Sequence, residues 1–479
     1  MSATWTITAP GGTRTLAGWG ISPAILTRRS FAADTLELTV AKEDALAAPT
    51  FSYGQAITLK RDGVPVFIGK IIREQALGGA AKEAHGYVAA NAWHDLERLV
   101  YQQPHCLANG TFAGFVETMM PLAVLGQTDL GGSYLTTTAQ MQAVVAYALT
   151  KGVELLDGGL VGGVPFAREE VQSLTCAEIL RRLGALTPDA AMWIEYGTGA
   201  QVLRFARRDD LTAVGYSLTA GNAIVSWRCE KRADLVPSGV RFIFRTAEVN
   251  SGGDEPENAD GRVYTRATVQ EAGLPDLPGG LIAAIEQHGV GTAAEAPIPG
   301  NLAAEYYLSL LTPHYEGQLV TRGEDVRGDL LVGNVLNLTN GRAEWATMRA
   351  VVQVTTENLT TGETTVDFGP PEQLPAQDFV DQLIFIRRAR PSTNLQAVRT
   401  CRINGPDVDD DGEVDGTGDE EADNPDRGVD PGSYTDEERL KNSSRKASSD
   451  GSGEGYGTID IEVCQNGSAQ TVRVLGTIV

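Results

Sequence analysis

Ile57-Thr58-Leu59-Lys60-Arg61-Asp62-Gly63-Val64-Pro65-Val66-Phe67-Ile68-Gly69 carries the clearest local signal in the chain. Two β-rich runs flank an Asp-Gly pair. A tight hairpin turn needs positive φ at its centre, which glycine adopts without a Cβ clash. The same texture extends toward the N-terminus. Leu36, Leu38 and Val40 alternate with Glu37, Thr39 and Ala41, and Trp5, Ile7 and Ala9 alternate with threonines. That period of two marks half-buried strands. On the other side, Tyr87-Val88-Ala89-Ala90 reads as a strand. It leads into Trp93 to Val100, where Trp93, Leu96, Leu99 and Val100 share a helical face. Residues 1–100 therefore read as a first β domain.

Residues 101–213 read as an inserted α/β region. Thr111 to Leu125 and Ala139 to Leu149 have helical apolar spacing, and Ser173 stands where it could cap a helix over Leu174 to Leu186. Ala190 to Tyr196 and Gln201 to Phe205 read as a hairpin, and Gly158 to Gly163 as a loop. Residues 214–390 return to strands: Ile224 to Trp227, Val240 to Phe244, Val335 to Leu338, Met348 to Thr355 and Thr364 to Phe368. Asn250 to Gly261 reads as a loop, Asn301 to Leu311 as a short helix and Ala376 to Arg390 as another. Residues 391–457 form an acidic, Ser/Gly-rich linker, too polar to repay its ordering entropy. Residues 458–479 alternate strictly on both sides of Asn466-Gly467 and read as a hairpin. A lone hairpin is marginal in water, so this one is expected to dock on something.

The chain has 479 residues and a formal net charge of −23. Between Asp407 and Asp430 stand twelve acids and one base, Arg427, so nearly half of that charge lies in one short segment. The acidic balance argues against a face that grips nucleic-acid phosphates, which needs clustered Lys and Arg. No run of about 18 apolar residues marks a transmembrane helix, and Met1 to Trp5 lacks the basic start of a signal peptide. Cys106, Cys176, Cys229, Cys401 and Cys464 are odd in number and widely spaced, which fits reduced thiols in a protein made in the cytoplasm.

Catalytic constellations are scarce. The five histidines form no H-E-x-x-H, and no G-x-S-x-G elbow or phosphate-binding G-x-x-x-x-G-K-[ST] loop is present. His94-Asp95 lacks further ligands at suitable spacing, and side chains adjacent in sequence, as His105 and Cys106 are, rarely face each other. The expectation is a protein that is not an enzyme and holds no cofactor, with Ca2+ the one candidate ion. Asp407-Val408-Asp409-Asp410-Asp411-Gly412-Glu413-Val414-Asp415 matches the start of a calcium loop. Asp407, Asp409 and Asp411 fall at positions 1, 3 and 5, with Glu413 and Asp415 following. Position 12, which should be a bidentate Glu, is Gly418. The bland reading is a solvated acidic linker.

The order of these features resembles the phage tail baseplate-hub proteins, the late-control-D family related to the head of type VI spike proteins. Phe51 to Ile71 resembles a hairpin that recurs in hubs, and Tyr87 to Leu99 the strand and helix that follow it. Ser173 to Leu211 is similar to the inserted domain, and Phe368-Gly369-Pro370-Pro371-Glu372 to the end of the second barrel. The resemblance implies a mainly β chain with an inserted α/β region and two tube-like β-barrel domains, 1–100 and 214–390. It implies a homotrimer whose six barrels continue a tail tube. The partners it implies are a tail tube or distal tail protein, a central spike or tail fibre protein and a tape measure protein, with DNA only in passage. The place is the virion, after assembly in the host cytoplasm.

The chain departs from the hub pattern at its C-terminus, where a linker and one hairpin stand. Ile459, Ile461, Val463, Val472 and Val474 are the residues through which that hairpin would bind a partner by adding strands to an edge. Two rival classes remain at this level: a cell-wall hydrolase at a tail tip, and a calcium-dependent surface-binding β protein.

Overall fold

A computed structural model describes residues 3–42, 48–79, 82–103, 122–126, 135–167, 169–219, 224–249, 263–273, 282–289, 300–322, 331–371, 456–465 and 468–477. The chain divides into two compact units, Met1–Thr246 with Ala267–Ser392, and Ala247–Arg266 with Thr393–Val479.

In the first section, β1 (Trp5–Ala9), β2 (Gly12–Thr15), β3 (Ile21–Arg29), β4 (Thr35–Lys42), β5 (Ala56–Arg61), β6 (Val64–Gly79) and β7 (Lys82–Ala90) precede helix α1 (Ala92–Leu96). The β5–β6 turn has Asp62 at φ 49° and Gly63 at φ 87°, the positive pair a right-twisted hairpin requires. The alternating residues face inward as their period demands: Ile7, Leu36, Leu38, Leu59 and Phe67 are buried.

The inserted section contains β8 (Leu122–Leu125), α2 (Thr137–Thr150), β9 (Leu156–Leu160), β10 (Glu169–Gln172), α3 (Cys176–Gly184), β11 (Ala190–Glu195) and β12 (Val202–Arg207). Then come β13 (Thr212–Ser217), β14 (Ile224–Arg232), β15 (Gly239–Val249), β16 (Val263–Gly273), β17 (Ile282–Gly289), α4 (Leu302–Leu311), β18 (His314–Arg322), β19 (Asn334–Thr339), β20 (Ala350–Asn358) and β21 (Glu363–Phe368). The last two strands, β22 (Tyr456–Gln465) and β23 (Ser468–Thr477), pair antiparallel.

The expectation of a mainly β chain with an intervening α/β region is met. Strands of the first and third sections join one curled sheet, in the order β14-β18-β21-β20-β3-β4-β7-β6-β5-β1-β2, with β19 and β13 branching from β20. The seam between the sections is the antiparallel pairing of β3 with β20, from Ile25↔Asn358 to Arg29↔Val354. Two clusters of buried residues lie against the sheet. Leu26, Leu36, Leu59 and Phe67 belong to one that continues into Leu180 and Phe205 of the inserted section and into Leu235, Phe242 and Tyr306 of the third. Leu319, Leu336, Val352, Val366 and Phe368 form a second cluster.

Four local expectations change. The helix expected from Trp93 to Val100 stops at Leu96, because the backbone of 99–101 is drawn into pairing with 174–176: Cys176 N–H donates to the Leu99 carbonyl at 2.8 Å and Tyr101 N–H to that of Leu174 at 2.9 Å. Ser173 does not cap α3. It sits at φ 53°, and Thr175 caps instead, in a reciprocal box with Glu178. The end of the helix expected over Thr111 to Leu125 is strand β8, held by β10, and residues 111–121 lie outside the described residues. The expected loop at Gly158 begins as β9, which lies parallel to β12. The loop expected over Asn250 to Gly261, the helix over Ala376 to Arg390 and the acidic run also lie outside the described residues.

Candidate assembly interface

Among the described residues the curled sheet does not close on itself, and strands β14, β2 and β13 each have a single partner, which leaves edge backbone as a ready template for pairing. One edge is β14. Its ladder to β18 runs from Ile224↔Thr321 to Arg232↔His314, with a bulge at Val225. The two backbones approach so closely that a Cβ on Gly317 would stand 1.9 Å from the Arg228 carbonyl oxygen, so only glycine fits there. Val225 and Trp227 on this strand are 55% and 47% exposed. The Trp227 ring meets Trp345 edge-on at 5.3 Å, and the Arg342 guanidinium lies over Trp345 at 5.4 Å. An apolar, half-open aromatic surface is thus fixed in place rather than swinging free.

Charge frames it. Arg232 bonds both Asp234, at 2.9 Å, and Glu316. The hydrogen bonds from Arg232 hold the Asp234 carboxyl below the ordinary range, and the bonds to Asp234, with those to Glu316, raise the Arg232 guanidinium further. Lys231 approaches Glu344 at 3.8 Å. Cys229 is half-buried, its Sγ lies 3.9 Å from Met348 Sδ, and burial pushes the thiol up to about 11, so it is inert at neutral pH.

The opposite edge is β2, exposed along its whole length. It is pinned to β1 by Thr8↔Thr13 and Ile7↔Arg14 pairing and by a 2.8 Å hydrogen bond between the Thr8 and Thr13 hydroxyls. The Arg14 guanidinium stacks 4.7 Å over Trp19, whose Nε1 donates to the Ile7 carbonyl at 3.1 Å. Between the edges, a cleft of about 640 Å³ opens where the three sections meet, lined by Arg28, Val66, Val161, Trp193, Arg204 and Asn334.

The residues singled out from sequence fall differently. Asp407, Asp409, Asp411, Glu413 and Asp415 lie outside the described residues. The hairpin is formed, with Ile459 opposite Val474, Ile461 opposite Val472 and Val463 opposite Gln470. Asp95 is paired with Lys70 at 3.2 Å, and among the described residues no group of three His, Cys, Asp or Glu could hold a metal. The edge residues Trp227 and Arg14 were not legible as surface. Val225 and Trp227 stand two apart in sequence, as residues of a buried face would, and only strand order reveals that no described strand lies beyond them.

No family model matches the chain, and no curated protein matches it. Among solved structures it is similar to the 43 kDa tail protein of prophage MuSo2 from Shewanella oneidensis, at 15% identity and a TM-score of 0.47, over 77% of this chain and 98% of that one. It is similar to the tail protein from Neisseria meningitidis MC58, at 12% identity and a TM-score of 0.45, over 79% of this chain and 99% of that one. It is also similar to the prophage tail protein gp18 from Listeria monocytogenes EGD-e, at 8% identity and a TM-score of 0.44, over 81% of this chain and 100% of that one.

Proposed function

We propose that this chain is a structural protein of a phage tail or a related injection device. In this reading it is the hub that joins the tail tube to a central spike or tail tip and lines part of the channel through which DNA passes. The observation that carries the reading is the single curled sheet with a seam at β3–β20 and, among the described residues, an unpaired outer side on β14 at one end of its main path and on β2 at the other. A subunit whose sheet holds two barrel-like sections can present six of them from three copies, the homotrimer that the hub resemblance implies. The two edges differ, so a contact of β14 on one copy with β2 on the next is heterologous and closes into a ring if the rotation closes. The aromatic surface of Val225 and Trp227 would then be covered, as an exposed apolar edge strand otherwise invites uncontrolled pairing. Outside the 407–430 segment the remaining chain carries a net −12. A wall of that sign lets phosphate slide rather than stick.

The experiment is negative-stain microscopy with mass photometry of the purified protein. Three-fold rings are expected, and Trp227→Glu is expected to yield monomers with an unchanged circular dichroism spectrum. A wild-type protein that stays monomeric at micromolar concentration, or rings that survive Trp227→Glu unweakened, would overturn this assembly. Zymography on peptidoglycan separates the hydrolase reading, and no clearing is expected.

A further inference from the structure

A buried hydrogen-bonded cluster joins the first section to the inserted one. Asp34, in the turn before β4, is 2% exposed. Its Oδ2 accepts the Tyr196 hydroxyl at 2.5 Å and its Oδ1 accepts the Arg29 backbone N–H at 2.9 Å. Asn91, which caps α1, donates from Nδ2 to the same tyrosine oxygen at 2.9 Å, while its backbone N–H reaches the Asp34 carbonyl at 3.2 Å. Gln201 Oε1 accepts the Ala92 N–H at 2.7 Å. Tyr196 and Gln201 bracket the β11–β12 turn of the inserted section, whereas Asp34, Asn91 and Ala92 belong to the first. The Phe67 ring of β6 closes the cluster at 6.0 Å from the Tyr196 ring.

The two charge states of Asp34 are opposed by different costs. Ionised, the carboxylate satisfies both donors aimed at it but is a charge held out of water. Protonated, it is neutral, but Tyr196 has one hydrogen and already receives one from Asn91, so one hydroxyl hydrogen of the pair is left without an acceptor. Arg28 on β3 is the charged group whose field acts on the pair, and it favours the anion. Burial outweighs these hydrogen bonds and the field of Arg28, and lifts Asp34 to about 6. The same burial, with the nearby carboxylate, keeps Tyr196 protonated far into the alkaline range.

We propose that Asp34, Tyr196 and Asn91 form a proton-operated fastening: with Asp34 protonated the inserted section is held shut against the first section, and with Asp34 ionised the β11–β12 turn opens more readily. The direction follows from linkage: at 2% exposure the carboxyl is held out of water in the closed junction, which disfavours its anion relative to an opened, hydrated one. This is a property of the single chain and does not depend on the ring.

Hydrogen exchange by mass spectrometry on peptides covering 89–96 and 190–203 tests it, in full-length protein, with rates corrected for intrinsic pH dependence. Opening is expected to be about tenfold more frequent at pH 7.5 than at pH 5.0 in the parent protein. Asp34→Asn, which keeps the shape and cannot ionise, is expected to show a flat profile. Peptides from β18 to β21 serve as the control and are expected not to follow that profile. A parent profile that is flat or reversed, or an Asp34→Asn profile identical to the parent's, overturns the proposal. If Asp34→Asn does not fold, carbon NMR of the Asp34 carboxyl decides: a midpoint near pH 6 is expected, and one below about 4.5, the ordinary carboxylate range, sinks the idea.

Discussion

His314 and Asp34 are both buried titratable groups, and they push stability in opposite directions with pH. The His314 imidazole is held down to about 3, first by burial and then by the positive fields of Arg208 and Arg232. Its Nε2 is buried without a hydrogen-bond partner. A histidine whose folded pKa is depressed takes up its proton more readily in the unfolded chain. The stability it lends is therefore intact above about pH 6.5 and is lost as pH falls toward 3. Asp34 has a raised folded pKa, so its cost is present above about 6 and fades as pH falls toward 4. In urea titrations between pH 6.5 and 4.0, His314→Gln is expected to lose less stability on acidification than the parent. An unchanged slope would mean that His314 is not the group that charges. Asp34 is worth up to ~3 kcal/mol of the opposite sign across its window, which is why local exchange rather than global melting tests the fastening.

At the scale of elements, the signals written within ten residues of one another are the ones that hold. The Asp62-Gly63 hairpin, the β11–β12 and β20–β21 pairs and the helix over Leu302–Leu311 all form where their periodicity places them. Where long-range backbone pairing competes, it wins. The helix after Trp93 is cut short because residues 99–101 pair with 174–176, partners that no local window contains. The cap of α3 shows the same lesson at one position: both Ser173 and Thr175 are plausible caps by type, and the left-handed backbone at Ser173 leaves the role to Thr175. Thr175→Ala removes the side-chain acceptor for the Glu178 N–H and one partner of the reciprocal box. It is expected to cost about 1 kcal/mol in chemical denaturation, whereas Ser173→Ala is expected to cost no helix stability through capping.

At the scale of the whole molecule, the β3–β20 seam makes two cores into parts of one sheet. Thr356 sits at its centre, paired with Thr27 on one side and Thr365 on the other. Thr356→Pro removes a ladder N–H and sets a ring against a neighbouring strand in the middle of the sheet. It is expected to destabilise the chain by ~3 kcal/mol or more and to split a single calorimetric transition into two, one for each core. Two transitions already present in the parent protein would show that the seam does not couple them. The assembly prediction at Trp227 belongs to this scale as well, because it depends on which strand ends the sheet rather than on any property of Trp227 in isolation.

The amino-acid sequence by itself determined part of the strands, β4, β5, β6 and β20 among them, the Asp62-Gly63 turn, the β character and the uneven placement of charge. Period-two patterning and Asp-Gly turns act over a few residues, and composition is additive. It also supplied the hub resemblance, through the order of its features. Only the tertiary structure decided that the two β sections share one sheet, that no described strand lies beyond Val225 and Trp227, and that Asp34 meets Tyr196 across 162 residues of chain. These are non-local pairings. A strand's outer neighbour and a buried carboxyl's partner leave no mark in their own sequence surroundings, because the free energy that selects them comes from packing between distant segments.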